Sequence, residues 1–510
     1  MNVDFDLLVV GGGINGAGIA RDAAGRGLRV MLVEQGDLAS GTSSASTKLI
    51  HGGLRYLEQY EFRLVREALA ERERLMSIAP HLVRPLRFVL PHDRRMRPAW
   101  MLRLGLFLYD HLGARRRLPS SAAVRLGRSP LGAGLDPGFE RGFAYWDCWG
   151  DDSRLVVANA QDAAERGATV LTSTRLRSAR REDGVWSASL EDSLDGHVSV
   201  VTAGILVNAA GSWVGEVLSD RLDLHQQSPL RLVRGSHIVT RRLYEGDHAY
   251  VLQNPDGRII FIIPYEREFT LIGTTDVAWT GGPEHPRPDA EEIAYLRESA
   301  SRGLASPVRA DDVVWSYAGL RPLYGDEVDE PSKVSRDYVL DLDASPGLAP
   351  LLSIFGGKIT TYRALAEHAM TMLRPFLGEV SGPWTSQVPL PGGDIRGGDL
   401  EALEAELAIA APYLSELTRR RWVTSYGSRA LRLLEGVQTE ADLGEDFGAG
   451  LTQREVDYLV REEWARTGDD ILWRRSKLGL YMTGEGMRRL SIYLERSLSQ
   501  PTQGKATAKG

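Results

Sequence analysis

Hydrophobic and polar positions follow one another along the chain in blocks that predict an α/β protein. The first apolar block, Leu7–Val10, is short and unbroken, as in strands that are buried on both faces. A glycine-rich stretch follows it, and the pattern of residues 17–26 then predicts a helix. Residues 29–33 form a second apolar run that predicts another strand. Strand, glycine turn, helix and strand in this order predict a βαβ unit.

Later blocks predict strands of two kinds. Alternating residues at 185–190 and 198–202 flank the turn Asp195–Gly196 and predict a hairpin, after which 205–213 predicts a buried strand that leads into a glycine turn. Between residues 236 and 274, short strands joined by tight turns predict an antiparallel sheet in a separate lobe. The remaining predicted strands are residues 313–320, 338–342 and 351–355.

Helical patterns complete this organisation. Residues 61–79 carry apolar side chains at helical spacing, and a helix that ends near Leu373 follows the strand at 351–355. A proline- and glycine-rich linker at 384–398 precedes a largely helical region at 400–498. The predicted domains are a discontinuous nucleotide-binding domain (1–80, 150–228 and 313–375), a substrate lobe (81–149 and 229–312), a helical domain (390–498) and a disordered tail (499–510).

Composition narrows the class of protein. The chain has 510 residues, 43% of them hydrophobic and 25% charged, which is ordinary for a globular enzyme. A net charge of −7 argues against general nucleic-acid binding. The single cysteine, Cys148, excludes a disulfide framework or an iron–sulfur cluster and suits a reducing cytoplasm. We expect no cleavable signal, and no apolar run approaches the ~18–20 residues that span a bilayer.

The first glycine turn has the spacing of a dinucleotide-binding motif. Gly11 allows the tight turn, Gly13 lets a pyrophosphate approach the backbone, and Gly16 allows close packing of helix and strand. Glu34 ends the second strand, where a carboxylate can bind ribose hydroxyls. The hairpin ahead of the strand that ends at Gly211 favours a flavin over a nicotinamide cofactor.

Two further segments have unusual composition. Residues 40–56 are rich in hydroxyl side chains and contain Lys48, which fits either a solvated loop with a helix cap or, as we prefer, a second clamp on the pyrophosphate and flavin. Residues 80–119 are rich in arginine around the apolar stretch Trp100–Tyr109. That stretch fits an interfacial membrane anchor or a buried helix with a basic rim, and the pattern leaves both open.

Several motifs together carry a family resemblance. They are Gly11–Gly18, Ser46–Leu57, Gly235–His237, Ile272–Asp276, Gly319–Pro322, Arg336–Tyr338, Phe355–Arg363, Asp442–Phe447 and Trp473–Arg475. In these motifs the chain resembles the aerobic, respiratory, membrane-associated family of FAD-dependent glycerol-3-phosphate dehydrogenases over nearly its whole length. The resemblance implies an α/β fold with an FAD-binding Rossmann-like domain of the glutathione-reductase/D-amino-acid-oxidase type, an antiparallel-sheet substrate lobe and a C-terminal helical domain.

The resemblance also implies a reaction. Glycerol 3-phosphate would be oxidised to dihydroxyacetone phosphate, with hydride passing from C2 to N5 of a non-covalently bound FAD and electrons then passing to a quinone. It implies a peripheral protein at the surface of the cytoplasmic membrane, and it leaves a homodimer open. The cofactor-binding candidates are Gly11, Gly13, Ile14, Asn15, Gly16, Glu34, Thr42, Ser43, Ser44, Ser46, Lys48, Leu49, Ala210, Gly211, Trp213, Gly357, Lys358, Ile359 and Thr360.

The substrate site must hold a phosphate dianion and accept the proton of the C2 hydroxyl. Arginine fits the phosphate because its planar fork matches two oxygens, and the candidates are Arg55, Arg321 and Arg336, with Tyr56 and Thr274 as hydroxyl partners. Lys358 could serve the substrate or the reduced ring. For the proton acceptor we prefer His237 to His51, which we expect to pack near the isoalloxazine.

Three alternatives stay open from the sequence. A related flavin enzyme could act on amino or hydroxy acids, although such enzymes need a carboxylate clamp with fewer cations. A glycerol-3-phosphate oxidase would pass its electrons to oxygen. A non-catalytic flavin-binding protein would hold FAD that no polyol phosphate reduces.

Overall fold

The computed structural model describes residues 3–93, 97–113, 117–224, 230–284, 286–324 and 337–499. The chain divides into two compact units, residues 1–394 and 395–510. The strands of the first unit are β1 (Phe5–Val10), β2 (Val30–Val33), β3 (Leu49–Ile50), β4 (Val83–His92), β5 (Ala122–Arg125), β6 (Arg141–Gly150), β7 (Thr169–Leu171), β8 (Thr174–Glu182), β9 (Val185–Asp192), β10 (Val198–Asn208), β11 (Leu230–Arg241), β12 (His248–Gln253), β13 (Ile259–Tyr265), β14 (Phe269–Gly273), β15 (Val277–Trp279), β16 (Val313–Tyr324), β17 (Val339–Asp343) and β18 (Leu351–Phe355). Its helices are α1 (Ile14–Gly25), α2 (Phe62–Ile78), α3 (Ala99–Leu112), α4 (Asp152–Glu165), α5 (Val214–Glu216), α6 (Ala290–Ser301) and α7 (Tyr362–Leu373).

The first sheet contains the predicted βαβ unit. Its strand order is β17-β18-β10-β1-β2-β7, and β1 runs parallel to β2 on one side and to β10 on the other. Leu7 and Leu8 of β1 are fully buried, as expected for a strand covered on both faces. Helix α1 packs against α4 and α7. A Cβ on Gly18 would come within 2.8 Å of the Tyr362 ring, so this glycine permits the close approach of α1 and α7.

The hairpin prediction is confirmed, but the boundary drawn after it is wrong. Strand β10 pairs antiparallel with β9 at Val198 and, without interruption, runs parallel to β1 at Asn208. The predicted strands at 198–202 and 205–213 are therefore parts of one strand that serves both pairings and ends at Asn208, and residues 209–213 form the turn after it. Gly204 lies inside it, where a Cβ would be 3.3 Å from the Asp6 carbonyl oxygen, so this glycine marks close backbone packing and not a turn.

The second sheet is mostly antiparallel, as predicted. Its order is β15-β11-β14-β13-β12-β4-β6-β3, with β16 paired to β11 and β5 to β6. Strand β16 pairs with β11 from Leu230 to Thr240, so residues 313–324 join this sheet. Strand β3 likewise joins this sheet, where Leu49 pairs with Trp149. The sheet to which β16 and β3 belong is decided by pairing with strands that are distant in the sequence, and the local pattern of residues does not indicate such pairing.

The second unit is largely helical, as predicted. Its elements are α8 (Leu400–Ala410), α9 (Glu416–Tyr426), α10 (Gln453–Glu463), α11 (Gly484–Ser499) and the short strands β19 (Asp446–Gly448) and β20 (Leu451–Thr452). It has an apolar core of its own that includes Trp422 and Leu459. The predicted tail from residue 500 lies outside the described residues. Within the part of the chain that the structure describes, helices are too short or too polar to cross a bilayer.

Candidate active site

The first glycine turn brings the backbone very close to the neighbouring strand and helix. Gly11 has φ +110°, and a Cβ there would lie 2.5 Å from the Ala209 carbonyl oxygen. A Cβ on Gly16 would lie 1.9 Å from the Gly11 carbonyl oxygen. Gly13 is the N-cap of α1. Side chains are thus excluded where a pyrophosphate must meet the positive end of a helix.

Glu34 lies at the end of β2 and shapes the mouth of this turn. Its carboxylate accepts hydrogen bonds from the Gly12 N–H (2.7 Å) and the Gly36 N–H (2.8 Å). A cleft beside Glu34 is lined by the first glycine turn, by the hydroxyl-rich residues 40–56 (the polar segment) and by the turn after β10. Its lining includes Gly11, Ser43 and Trp213. The carboxylate oxygens retain lone pairs that suit ribose hydroxyls.

The polar segment is anchored to three neighbouring elements. Ser43 Oγ accepts the Ile14 N–H at the start of α1 (3.0 Å), and Thr42 donates to the Leu320 carbonyl of β16 (2.6 Å). Lys48 Nζ forms a buried ion pair with Asp152 at the start of α4 (2.9 Å). Because these contacts use the side chains, they fix the course of the segment next to the first glycine turn.

The other predicted residues of this segment also have protein partners. Ser46 Oγ donates to Asp152 (2.7 Å), and the Ser44 carbonyl accepts from Lys48 Nζ (2.9 Å). Leu49 is buried in β3 opposite Trp149. These contacts of Ser46, Lys48 and Leu49 fix the backbone of the segment, and their part in cofactor binding stays a prediction.

A second glycine turn meets the first. Asn15 Nδ2 of α1 donates to the Gly356 carbonyl (3.1 Å), and Gly356 and Gly357 have φ +72° and +98°. Asn15 Oδ1 is buried and has no hydrogen-bond partner among the described residues. Residues 358–361 form the turn that leads into α7, where Thr360 Oγ1 accepts the His51 N–H (3.2 Å).

The turn that follows β10 lies beside the first glycine turn and contains Ala210, Gly211 and Trp213. Gly211 has φ +58°, and a Cβ on Gly41 would be 3.4 Å from the Trp213 ring, so the polar segment and this turn are in contact. Ser212 donates to the Leu320 carbonyl (3.2 Å), the same oxygen that Thr42 binds. The two glycine turns, an acid at the end of β2 and an orphaned buried acceptor on Asn15 fit FAD, and these residues would hold it.

On the second sheet, Arg321 is held in a fixed orientation. It forms an ion pair with Asp276 and donates to Thr274 Oγ1 (3.3 Å). A Cβ on Gly235 of β11 would lie 2.3 Å from Arg321 Nη2, so the guanidinium lies across this glycine. Its Nη2 also donates to the Thr275 carbonyl (3.4 Å), and the side chain is 30% exposed.

His237 lies on the neighbouring strand and is buried. Its Nε2 is 2.9 Å from Thr47 Oγ1, and its ring stacks on Tyr317 with centroids 4.9 Å apart. Its Nδ1 has no hydrogen-bond partner in the described structure. Burial, and then the charges of Arg321 and Lys48, hold the pKa of His237 well below its usual 6.5. The imidazole is therefore neutral and able to accept a proton.

The remaining cationic residues lie by the second glycine turn. Lys358 Nζ is 4.0 Å from the centroid of the Tyr56 ring, and Tyr56 lies with Arg55 in the short 3₁₀ helix Leu54–Gln59. Neither Lys358 nor Arg55 has an acidic partner within the described residues. Arg336, the third predicted arginine, lies outside the described residues.

Strand β16 connects the residues of the second glycine turn with those around Arg321. A Cβ on Gly356 would be 3.5 Å from the Pro322 carbonyl oxygen, so β16 passes beside the second glycine turn directly after Arg321. Tyr317, Asp276 and Asp152 are site residues that no motif in the sequence singles out. The two-residue period of β16 could have found Tyr317, since it places Tyr317 and Arg321 on one face. Asp152 could not be found, because its partner lies far away in the sequence.

Comparison with known proteins agrees with this arrangement. Residues 6–363 match the family model described as FAD dependent oxidoreductase, and residues 383–491 match the C-terminal domain of alpha-glycerophosphate oxidase. A solved glycerol-3-phosphate dehydrogenase from Bacillus halodurans, complexed with FAD, has a TM-score of 0.70 and 28% identity, covering 98% of this chain and 96% of that one.

Curated relatives match over nearly their full length. Glycerol-3-phosphate dehydrogenase from Pseudomonas aeruginosa is 56% identical over 494 residues, covering 96% of this chain and 95% of the relative. Aerobic glycerol-3-phosphate dehydrogenase from Escherichia coli is 50% identical over 489 residues (96% and 97%). D-erythritol 1-phosphate dehydrogenase from Brucella abortus is 50% identical over 478 residues (94% and 95%). The chain therefore belongs to the FAD-dependent oxidoreductases and, within them, to the family of the aerobic glycerol-3-phosphate dehydrogenases.

Proposed function

We propose that this protein oxidises sn-glycerol 3-phosphate to dihydroxyacetone phosphate with FAD as its cofactor. The observation that carries this proposal is the set of cations around the second glycine turn. Arg321 presents an oriented, partly exposed guanidinium, and Lys358 and Arg55 have no acidic partner within the described residues. Within the described residues, Lys358 and Arg55 therefore leave positive charge uncompensated beside the nucleotide cleft, which favours a substrate with two negative charges.

The phosphate contacts follow from side-chain chemistry. Arg321 is fixed by Asp276 and Thr274, so little rotamer entropy is lost when it binds phosphate oxygens. Lys358 lies on the Tyr56 ring, which orients its ammonium without neutralising it. Arg336, which the resemblance assigns to the same role, remains a proposal from the sequence.

His237 is our choice for the group that takes the hydroxyl proton. Its low pKa leaves it neutral, and Nδ1 is free of hydrogen bonds in the described structure. When substrate phosphate binds beside Arg321, it offsets one of the charges that lower the pKa of His237, and the imidazole becomes a stronger base. We assign His51 to packing near the flavin ring, beside Thr360. Bound FAD supplies a two-electron acceptor for the hydrogen at C2 of the substrate.

A longer polyol phosphate is a second candidate substrate. The relative from Brucella abortus is a D-erythritol 1-phosphate dehydrogenase, and it is as similar to this chain as the Escherichia coli enzyme is. Both compounds end in a phosphate that the same cations would hold. Amino acids are poorer candidates, because a single carboxylate leaves more positive charge uncompensated.

Anaerobic titration of the FAD-loaded protein tests the function. Glycerol 3-phosphate should bleach the flavin absorbance, whereas glycine and D-alanine should leave it unchanged. The variant Arg321→Lys keeps the charge but loses the planar fork, and it should need about 10- to 100-fold more glycerol 3-phosphate for half-reduction. A flavin that polyol phosphates cannot bleach would overturn the proposal, and stronger bleaching by erythritol 1-phosphate would transfer it to that substrate.

The electrons would pass to a quinone, which requires contact with a bilayer. Helix α3 supports this part of the proposal, since Trp100, Leu104 and Phe107 on one face are 67%, 50% and 51% exposed. The helix has 14 residues, too few to span a membrane, which needs about 20. Exposed apolar side chains on a short helix with arginines nearby are typical of interfacial binding. We therefore propose peripheral association with the cytoplasmic membrane through α3.

A further inference from the structure

A buried tyrosine connects helix α3 to the loop that carries His51 and Tyr56. The Tyr109 hydroxyl accepts a hydrogen bond from the Gly52 N–H (2.8 Å) and donates to the Asp147 carboxylate (2.7 Å). Tyr109 is 2% exposed. Burial and the neighbouring Asp147 charge hold the pKa of Tyr109 well above its usual 10, so the hydroxyl keeps its proton.

The carboxylate that receives this hydrogen bond is itself held in place. Arg72 of α2 donates to Asp147 Oδ1 (2.6 Å) and to the Trp146 carbonyl (3.1 Å). Both charged side chains are buried, so the ion pair is shielded from water and resists displacement. The Tyr109 hydroxyl therefore has a rigid acceptor in β6 that fixes its orientation.

Gly52 has little freedom to move away from this hydroxyl. A Cβ at this position would lie 2.4 Å from Leu69 Cδ2 and 2.7 Å from the Tyr109 oxygen. Gly53, the next residue, has φ +76° and turns the chain sharply. The backbone at Gly52 is thus packed directly against side chains of α2 and α3.

The contacts on either side of Gly52 reach the candidate site. On one side, the His51 N–H donates to Thr360 Oγ1 in the second glycine turn (3.2 Å). On the other, the Tyr56 ring lies 4.0 Å from Lys358 Nζ. Gly52 is therefore the fixed point between two contacts to residues 358–360.

We propose that Tyr109 is a positioning residue for substrate binding, which acts through Gly52 on the segment from His51 to Tyr56. Tyr109 does not touch the substrate; its hydroxyl holds the backbone that places Arg55 and Tyr56 beside Lys358. The inference rests on the proposed function. It also gives α3 two roles. The outer face of the helix is apolar, and on its inner face the Tyr109 hydroxyl holds the segment from His51 to Tyr56.

The variant Tyr109→Phe removes this hydroxyl while keeping the ring. The matched control is Tyr145→Phe, because Tyr145 is also buried, its ring lies 6.1 Å from that of Tyr109, and its hydroxyl makes no hydrogen bond within the described residues. We expect KM for glycerol 3-phosphate to rise about 3- to 10-fold in Tyr109→Phe, with FAD content unchanged and kcat changed less. An unchanged KM, or an equal rise in the control, would overturn the inference.

Hydrogen exchange measures the contact without any substrate. The amide of Gly52, followed in a peptide covering residues 49–57, should exchange slowly in the parent protein and in Tyr145→Phe, and faster in Tyr109→Phe. Equal exchange in all three proteins would contradict the anchoring. If polyol phosphates fail to bleach the parent flavin, the proposed function and this inference both fail; bleaching with an unchanged KM in Tyr109→Phe overturns this inference alone.

Discussion

Single side chains determine whether this site can take a proton near neutral pH. The imidazole of His237 has two contacts that define its chemistry, Thr47 at Nε2 and the Tyr317 ring against its face, and its Nδ1 has no hydrogen-bond partner among the described residues. Thr47 and Tyr317 hold the ring orientation, and burial with nearby Arg321 keeps it neutral. A neutral, oriented imidazole is what a general base requires.

A pH profile tests this assignment of His237. Because burial and cationic neighbours lower its pKa well below 6.5, the basic form persists as the pH falls through 6.5. We therefore expect kcat, measured at a saturating concentration of glycerol 3-phosphate, to stay level there and to decrease only at lower pH. The ratio kcat/KM would also report the second pKa of the substrate phosphate, about 6. His237→Gln should lose about 10²- to 10⁴-fold in kcat, whereas His197→Gln, at an exposed position between β9 and β10, should change little. An acid limb in kcat centred near pH 6.5, or a loss of only a few-fold in the His237 variant, would reject the role.

At the scale of elements, helix α3 has one face packed against the protein and one face exposed to solvent. Leu106 and Tyr109 face the protein, while Trp100, Leu104 and Phe107 face outward. An outward apolar face costs solvation free energy in water, and burying it in a lipid interface recovers about 25 cal/mol per Å². This favours the interfacial anchor over the buried helix, the two alternatives that the sequence leaves open for this segment.

Liposome flotation tests whether the exposed face of α3 binds a membrane. The double variant Leu104→Ser/Phe107→Ser should float less with anionic vesicles in low salt than the parent protein, because the apolar area on the helix is reduced. Leu194→Ser is a suitable control, since Leu194 is 60% exposed in the β9–β10 turn, away from α3. A parent protein that stays soluble, or an equal loss in the control, would refute membrane contact through α3.

The elements also show what could be predicted from the sequence. The βαβ unit and the turn before α7 follow from local pattern, because glycine spacing and apolar runs define them within a few residues. The pairing of β16 with β11 brings Arg321 next to Gly235, and no local signal reports it. The ion pair between Lys48 and Asp152 could not be predicted either, because a contact between distant residues leaves no periodic pattern or motif in the sequence.

At the scale of the whole molecule, the chain divides after residue 394. The residues that would hold FAD and substrate all precede this point, although they come from segments as far apart in sequence as Gly11 and Thr360. The second unit has a core built around Trp422, whose Nε1 donates to the buried Glu455 (2.9 Å). Glu455 also accepts from Tyr426 (2.6 Å) and pairs with Arg421, so its charge is compensated within the same unit.

This self-contained core predicts that residues 395–499 fold on their own. The isolated fragment should unfold in one cooperative transition in urea, followed by circular dichroism, because both its apolar core and its buried charge are satisfied internally. Trp422→Ala should lower the free energy of unfolding by about 3–5 kcal/mol. Ile409→Ala, at a position that is 84% exposed on α8, should change it by less than about 0.5 kcal/mol. A gradual, non-cooperative transition in the parent fragment would mean that this region depends on the rest of the chain for its structure.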